Sequence, residues 1–254
     1  MALQTGLPDA AVFERAGLAA WPGIEVEWDG DWVRRAAGGY TKRANSVQCL
    51  DPADDADVAA RVAAAVEWFA ARNLPPVFRM TPLAAPALSA TLDRLGWRTI
   101  DASHQFAMVL TPGEADPRGR IHDVRDPAWL AIQQRLSGYD DGRQARLEAL
   151  LGAMQVQACG VALLDAEGTP VASALMAIAD GIVVTGNVVT AADQRRKGYG
   201  GAMMRTGHAW AYAAGARVAA LNVQADNAGA QALYHGLGYR HQYNYHYRLP
   251  GTTP

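Results

Sequence analysis

The sequence predicts an α/β (α+β) protein made of two related halves, each with a mixed, mostly antiparallel sheet flanked by helices. The order of elements in the C-terminal half is the first reason: three strands joined by turns, then a glycine loop, a helix, a strand, a helix and a last strand. An internal repeat is the second, because a weak copy of this half appears when the sequence is shifted by 142 positions. With 254 residues, 50% of them hydrophobic, the chain suits one large or two small domains.

Turn signals divide the first part of the C-terminal half into strands. Glu167-Gly168 and Asp180-Gly181 are turn dipeptides between apolar, β-branched runs, and the last of these runs covers Ile182 to Val189. The stretch from Thr169 to Ala192 is long enough to span a membrane, but the hairpin signal in its middle favours two antiparallel strands. The remaining elements are predicted as a helix from Ala202 to Ala214, a strand from Arg217 to Val223, and a strand from Arg240 to Leu249 that alternates Tyr243, Tyr245 and Tyr247 with polar residues.

The loop before the Ala-rich helix is cationic and rich in glycine. Its residues are Arg195, Arg196, Lys197, Gly198, Tyr199, Gly200 and Gly201. Glycine permits positive φ and a close approach of the backbone to a ligand, and the start of a helix offers unpaired N–H groups and a positive dipole end. The spacing matches neither the dinucleotide pattern G-x-G-x-x-G nor the P-loop. We therefore predict a pyrophosphate site of another kind.

Residues 195–200 resemble the Q/R-x-x-G-x-G/A motif of the GNAT superfamily of acetyl-CoA-dependent N-acetyltransferases. A second segment, from Asn227 to Tyr239, resembles the family's N-x-x-A-x-x-L-Y-x-x-x-G-F/Y pattern, and the two motifs follow each other in the family's order. The resemblance implies a GNAT fold, acetyl-CoA as the co-substrate without a metal, and acyl transfer by direct attack of an amine, without a covalent enzyme intermediate.

The resemblance also implies site residues. Tyr234 takes the role of the general acid that protonates the departing CoA thiolate, and a backbone N–H near Val188 to Thr190 stabilises the oxyanion. The acetyl-CoA-binding set comprises Val188, Val189, Thr190, Arg195, Arg196, Lys197, Gly198, Tyr199, Gly200, Gly201, Asn227 and Tyr234.

The sequence departs from the better-known family pattern at the general base. The family often carries a glutamate on the strand before the glycine loop, whereas Asn187 is the only strongly polar side chain between Gly181 and Val189. Three explanations stay open: a water wire to a more distant carboxylate, a base from the N-terminal half, or an acceptor that arrives deprotonated.

The N-terminal half matches the C-terminal half without a gap, and Leu95-Gly96-Trp97-Arg98 aligns with residues 237–240. The copy lacks the phosphate loop, since Asp54 and Asp55 stand opposite Arg196 and Lys197. We predict a degenerate N-terminal GNAT-like domain in residues 1–115, a catalytic domain in residues 120–254 and one CoA per chain. The N-terminal domain would shape the acceptor pocket.

One N-terminal segment, Gly38 to Val47, is polar and basic, and resembles a Gly-Tyr-Thr-x-Arg-Ala-Asn-Ser-Val run in a subgroup of bacterial GNAT proteins. Arg43, Asn45 and Ser46, together with Asn187, are predicted to contact the acceptor. An edge strand protected from aggregation by its charges is an equally good interpretation of this segment.

These patterns predict an N-acetyltransferase for a small-molecule or amino-acid-like amine. The alternatives are an acyl-CoA-binding sensor or non-catalytic module, suggested by the missing base, and a transferase for a longer acyl group, suggested by small residues along Ala172 to Ala179. A net charge of −2, with lysine only at Lys42 and Lys197, argues against nucleic-acid and histone partners. The histidines and cysteines have no metal-binding spacing, and the absence of a leader or membrane segment predicts a cytoplasmic protein of unknown oligomeric state.

Overall fold

The computed structural model describes residues 6–251, and within them eleven strands form one mixed sheet. The elements of the N-terminal half are α1 (Ala10–Ala20), β1 (Glu25–Asp29), β2 (Trp32–Ala36), β3 (Val47–Cys49), α2 (Val58–Ala70), β4 (Phe78–Met80), α3 (Pro86–Arg94) and β5 (Arg98–Val109). Those of the C-terminal half are β6 (Gly119–Asp123), α4 (Pro127–Ser137), α5 (Asp141–Ala153), β7 (Gln157–Leu164), β8 (Pro170–Ala179), β9 (Ile182–Thr190), α6 (Tyr199–Ala213), β10 (Val218–Gln224), α7 (Ala228–Gly236) and β11 (Arg240–Leu249).

The internal repeat is visible in the element boundaries. Shifted by 142 positions, α3 at residues 86–94 falls on residues 228–236, which are the bounds of α7, and β5 begins where β11 begins. In both halves the sheet contains one parallel pair, β3 with β4 and β9 with β10. The predicted α/β fold class, with two similar halves that each contribute mixed strands and flanking helices, is therefore confirmed, and the strands of both halves join in one continuous sheet.

The two halves exchange their last strands. The strand order is β1-β2-β3-β4-β11-β5-β10-β9-β8-β7-β6, so that β5 pairs with β10 and β11 pairs with β4. Strands β5 and β11 also pair with each other in antiparallel fashion. Because each half is completed by a strand of the other, the strands of both halves form one continuous sheet. The boundary between the two predicted domains, at residues 115–120, remains a prediction.

Strands β9 and β10 separate towards their carboxyl ends. Their parallel pairing runs from Ile182 with Val218 to Thr185 with Leu221, and residues 186–190 of β9 have no partner on β10. On the other side of β9, Ser173 of β8 pairs with Val189 and Leu175 pairs with Gly186, which leaves an extra residue on β9. Asn187 occupies this bulge with φ +49°. The separation opens a cleft at this edge of the parallel pair.

Three helices that the sequence analysis did not predict cover one face of the sheet. Each begins at an aspartate whose side chain accepts a hydrogen bond from the first turn: Asp9 for α1, Asp126 for α4 and Asp140 for α5. Helix α1 packs on β8 and β9, while α6 covers the opposite face. No helix within residues 6–251 combines the length and apolar character required to cross a membrane.

The segment from Gly38 to Val47 is a loop, so its interpretation as an edge strand is wrong. Lys42–Ala44 forms a 3₁₀ turn, and the strand that follows, β3, lies between β2 and β4 rather than at an edge. The reason is Asn45, whose Oδ1 accepts hydrogen bonds from the N–H groups of Ala37 and Gly39 and whose Nδ2 donates to two carbonyls of the same loop. These bonds replace the ladder that a strand would form.

The small residues of β8 pack the protein core. Ala172 and Ala174 contact the cluster around α6, and Ala177 and Ala179 contact the cluster around α1. They give no additional room for a long acyl chain.

The two cysteines are also core residues, and burial raises the pKa of Cys49 to about 12, so that it remains a thiol.

The buried pair His208 and Tyr239 predicts a loss of stability in mild acid. His208 Nε2 lies 2.8 Å from the Tyr239 hydroxyl, and burial lowers the pKa of His208 from 6.5 to about 4. Between these values the unfolded chain binds a proton that the folded chain does not, so stability falls as pH decreases from 6.5 towards 4, by about 3 kcal/mol at most. Urea unfolding at pH 7 and pH 4.5 should show a larger loss for the wild type than for His208→Gln; equal losses would contradict this assignment.

Candidate active site

A cleft of about 780 Å³ opens between the separated ends of β9 and β10. The amino-terminal ends of α6 and α7 form two of its walls, and Arg43 from the N-terminal half lies at its inner end. Of the predicted acetyl-CoA-binding set, the residues that line the cleft are Val188, Val189, Thr190, Arg195, Arg196, Gly198, Tyr199, Gly200, Gly201, Asn227 and Tyr234. Lys197 is exposed outside this lining, where its Nζ donates to Gln194 at 3.0 Å.

The glycine loop presents the start of α6 to the cleft. Gly198 is the N-cap with φ +83° and provides no side chain to cap the helix. The first intrahelical bond runs from Ala202 N–H to Gly198 O, so the N–H groups of residues 199–201 remain available to a ligand. Gly200 lies close to Leu233 and Thr190, and a Cβ on Gly200 would come within 3.4 Å of both. A helix start with free donors beside Arg195 and Arg196 suits a doubly charged phosphate group.

Tyr234 lies on α7 and faces the same cleft. Only 5% of the side chain is exposed, and burial raises its pKa to about 12. The phenol therefore stays protonated at neutral pH, as a proton donor must. Asn227 begins α7, and its Oδ1 accepts a hydrogen bond from Ala230 N–H, which fixes the helix end that contributes Tyr234.

The N-terminal half contributes to the inner end of the cleft. The guanidinium of Arg43 stacks on Trp21 at 4.6 Å from the ring centroid. Nearby, Asn187 Nδ2 donates to the Tyr40 hydroxyl at 3.2 Å and so connects the bulge of β9 with the Gly38–Val47 loop. Asn187 is thus held by a phenol of the other half.

Asn45 and Ser46 do not line the cleft. Both are buried, and all four hydrogen bonds of the Asn45 side chain go to its own loop. The Asn45 side chain shapes the loop that carries Arg43, and Ser46 is fully buried. Of the N-terminal residues predicted to contact the acceptor, only Arg43 is brought to the cleft.

A buried polar cluster adjoins the inner end of the cleft. Glu14 of α1 forms a two-pronged ion pair with Arg79 of β4, with N···O distances of 3.0 and 2.9 Å. Its oxygens also accept from Gln48 Nε2 and from the Tyr243 hydroxyl, both at 2.7 Å. Glu14 belongs to no sequence motif, although Asp9 is an N-cap signal for the helix that carries it.

A family model described as "Probable histone acetyltransferase Rv0428c C-terminal" matches residues 9–248. The chain belongs to this family. It is therefore a GNAT-superfamily protein and an acyltransferase, as the two sequence motifs predicted.

Named relatives agree with this assignment. The uncharacterized N-acetyltransferase YobR of Bacillus subtilis is 24% identical over 249 residues, covering 96% of this chain and 99% of that protein. The probable histone acetyltransferase Rv0428c of Mycobacterium tuberculosis is 30% identical over 128 residues, 48% of this chain and 38% of that protein.

Solved structures share the fold. A GCN5-related N-acetyltransferase from Kribbella flavida superposes with a TM-score of 0.73 at 22% identity, covering 97% of each chain. A tandem GNAT protein from the clavulanic acid biosynthesis pathway has a TM-score of 0.62 at 11% identity, covering 94% of this chain and 87% of the other.

This GNAT protein has no carboxylate or histidine among the described residues that line the cleft. The nearest buried carboxylate in the adjoining cluster is Glu14, and both of its oxygens are held by Arg79 and other donors. Glu14 therefore has its oxygens engaged by other side chains and does not face the cleft, so it is not placed to take a proton from an acceptor there.

Proposed function

We propose that the protein transfers the acetyl group of acetyl-CoA to the amine of a small-molecule acceptor by direct attack. The observation that carries the proposal is the pairing, in one cleft, of a free helix start next to two arginines with a buried, protonated phenol near the unpaired end of β9. Family membership favours a working acyltransferase over a binding-only sensor.

The cleft suggests how acetyl-CoA would lie. The pyrophosphate would bind the N–H groups of residues 199–201, with Arg195 and Arg196 beside it. The pantetheine would extend along residues 188–190, whose backbone has no partner on β10. This brings the thioester towards the bulge at Asn187 and the hydroxyl of Tyr234.

The reaction requires a neutral amine. As its nitrogen bonds to the acetyl carbon, the carbonyl oxygen becomes an oxyanion, which a backbone N–H of residues 188–190 would stabilise. The C–S bond then breaks, and Tyr234 protonates the CoA thiolate, which would otherwise leave as an anion. The attacking nitrogen, which is positively charged once it has bonded to the acetyl carbon, loses a proton to water, and the phenolate regains its proton from water.

The proton of the acceptor ammonium is proposed to leave through water. Glu14 is occupied by Arg79, and burial raises the pKa of the Tyr40 phenol and leaves it protonated. Of the three explanations for the missing base, a water path and an acceptor that arrives deprotonated remain, while a base from the N-terminal half loses its best candidate.

A histone acceptor, as named for the relative from M. tuberculosis, fits this cleft poorly. Histone tails are rich in lysine and arginine, whereas the charged side chains lining the described cleft are Arg43, Arg195 and Arg196. We therefore propose a small acceptor. A cytoplasmic location also stays a proposal, in keeping with the two unpaired cysteines.

The test is a screen of amines with acetyl-CoA that measures release of the CoA thiol, combined with calorimetry of CoA binding. We expect one CoA per chain, because in the N-terminal half Asp54 occupies the loop before α2 and is paired with Arg61 at 2.8 Å. A stoichiometry of two would contradict the degenerate half, and the absence of thiol release with every amine would contradict the proposed reaction.

A further inference from the structure

Arg43 lies where the cleft meets the buried polar cluster, and its guanidinium lines both spaces. Trp21 supports one face of the guanidinium at 4.6 Å, and the Trp21 ring is itself fixed by a hydrogen bond from Nε1 to Thr41 Oγ1 at 2.9 Å. Arg35 fixes the backbone of both stacked residues, since it donates hydrogen bonds to the carbonyls of Trp21 and Arg43. The cation is therefore held in place before any ligand arrives.

The charges at this junction do not balance. Arg35, Arg43 and Arg79 lie together around a space in which Glu14 is the single lining carboxylate among the described residues. Glu14 is paired with Arg79, while Arg43 has no carboxylate within 4.0 Å in residues 6–251. Arg35, 2% exposed, retains an Nε without a hydrogen-bond partner. Arg35 and Arg43 are thus cations without a paired carboxylate. Burying an unpaired cation is unfavourable in free energy, and a bound anion would reduce this penalty.

We propose that Arg43 binds a carboxylate of the acceptor, so that the substrates of this enzyme are amines that also carry a carboxylate, as amino acids do. This inference rests on the proposed function and names the substrate class of the same site. A guanidinium presents two parallel N–H groups that match the two oxygens of a carboxylate.

The position of Arg43 agrees with the geometry of acyl transfer. A Cβ built on Gly186 would lie 3.8 Å from Arg43 Nη2, which places the guanidinium beside the bulge at Asn187, where the amine must meet the thioester. The space beyond Arg43 has a volume of about 10 Å³. It accommodates about one water-sized group, which suits a carboxylate oxygen better than a phosphate. Burial, together with the charge on Arg79, lowers the pKa of Arg43, and a bound anion would favour its charged form.

The experiment compares amino acids with their amides, which lack the carboxylate charge. Thiol release with acetyl-CoA gives kcat/KM for each pair, and calorimetry of the CoA-saturated protein with N-acetyl amino acids and N-acetyl amino-acid amides gives binding without turnover. For the preferred side chain we expect the acid to exceed the amide at least tenfold in both measurements, about 1.4 kcal/mol. In Arg43→Gln the ratio should fall below threefold, with the affinity for acetyl-CoA changed less than threefold.

Arg72→Gln is the matched control. Arg72 also stacks on a tryptophan, Trp68, at 3.7 Å, but it pairs with Glu25 and does not line the cleft. It should keep the preference for the acid. Arg43→Lys, which keeps the charge and loses the two-pronged geometry, should keep part of it, and thermal unfolding checks that each variant is folded.

Equal values for acid and amide in the wild type, or an acid preference that persists in Arg43→Gln, would overturn the inference. So would a preference for phosphoethanolamine over the amino acids. The proposed function can fail separately: N-acetyl amino acids could bind in an Arg43-dependent way without any thiol release. Conversely, rapid acetylation of neutral amines that does not depend on Arg43 would support the proposed function and reject the carboxylate site.

Discussion

Gly198→Asp is expected to reduce acetyl-CoA affinity at least about 100-fold, or about 2.7 kcal/mol, whereas Gly198→Asn should reduce it far less. A Cβ on Gly198 would meet nothing within 4 Å, so either side chain has space. Asparagine and aspartate are also the residues that best tolerate the positive φ of 83° at this position. The two variants therefore differ in one charge, which in Gly198→Asp would lie against the pyrophosphate.

Calorimetry with CoA measures this difference, and repeating it at high salt should weaken the effect of the aspartate. Equal affinities of the two variants would show that the pyrophosphate does not bind at the start of α6. The proposed position of the co-substrate would then be wrong, even though the family assignment would stand.

Tyr234→Phe is expected to lower kcat by about 10²–10⁴-fold, the usual contribution of a general acid, and to leave acetyl-CoA affinity unchanged. The phenol acts only when the thiolate departs, so its loss affects the transition state and not binding. An acid works below its pKa, and the pKa of Tyr234 is about 12. The wild-type kcat should therefore show no alkaline decline from this group up to pH 10.

Tyr239→Phe is the matched control for this prediction. Tyr239 is a buried phenol whose ring centroid lies 5.8 Å from that of Tyr234, but its hydroxyl bonds to His208 and it does not line the cleft. This variant should lose stability and retain kcat. A loss in Tyr234→Phe well below tenfold would make Tyr234 a packing residue, with the thiolate leaving unassisted or protonated by water.

Patterns of neighbouring residues were enough to predict several structural features of this protein. The glycine loop, the motif on α7 and the hairpin at Asp180-Gly181 each depend on neighbouring residues, and the structure has a helix start, a helix and a turn at these positions. The repeat at 142 positions predicted the paired helices and strands of the two halves. Local hydrogen bonding and backbone conformation decide such features, and these are encoded by residues close together in the chain.

Tertiary structure alone decided how the halves meet and what lies at the acceptor end. The exchange of β5 and β11 depends on strand pairing between distant segments, which no local pattern encodes. Glu14 and Arg79 are 65 residues apart and meet only because α1 lies on the sheet, where the Glu14 side chain contacts Arg79 of β4 and Tyr243 of β11.

The same separation explains the residues of the Gly38–Val47 loop. Their polarity suggested a common role, but in the structure the Asn45 side chain bonds the backbone of the preceding residues, while Arg43 lines the cleft and stacks on Trp21. A sequence records which side chains are polar. Whether a polar side chain bonds its own loop or faces a ligand depends on where the folded chain places its partners, and for Arg43 these include Trp21, which follows α1, and Arg35 of β2.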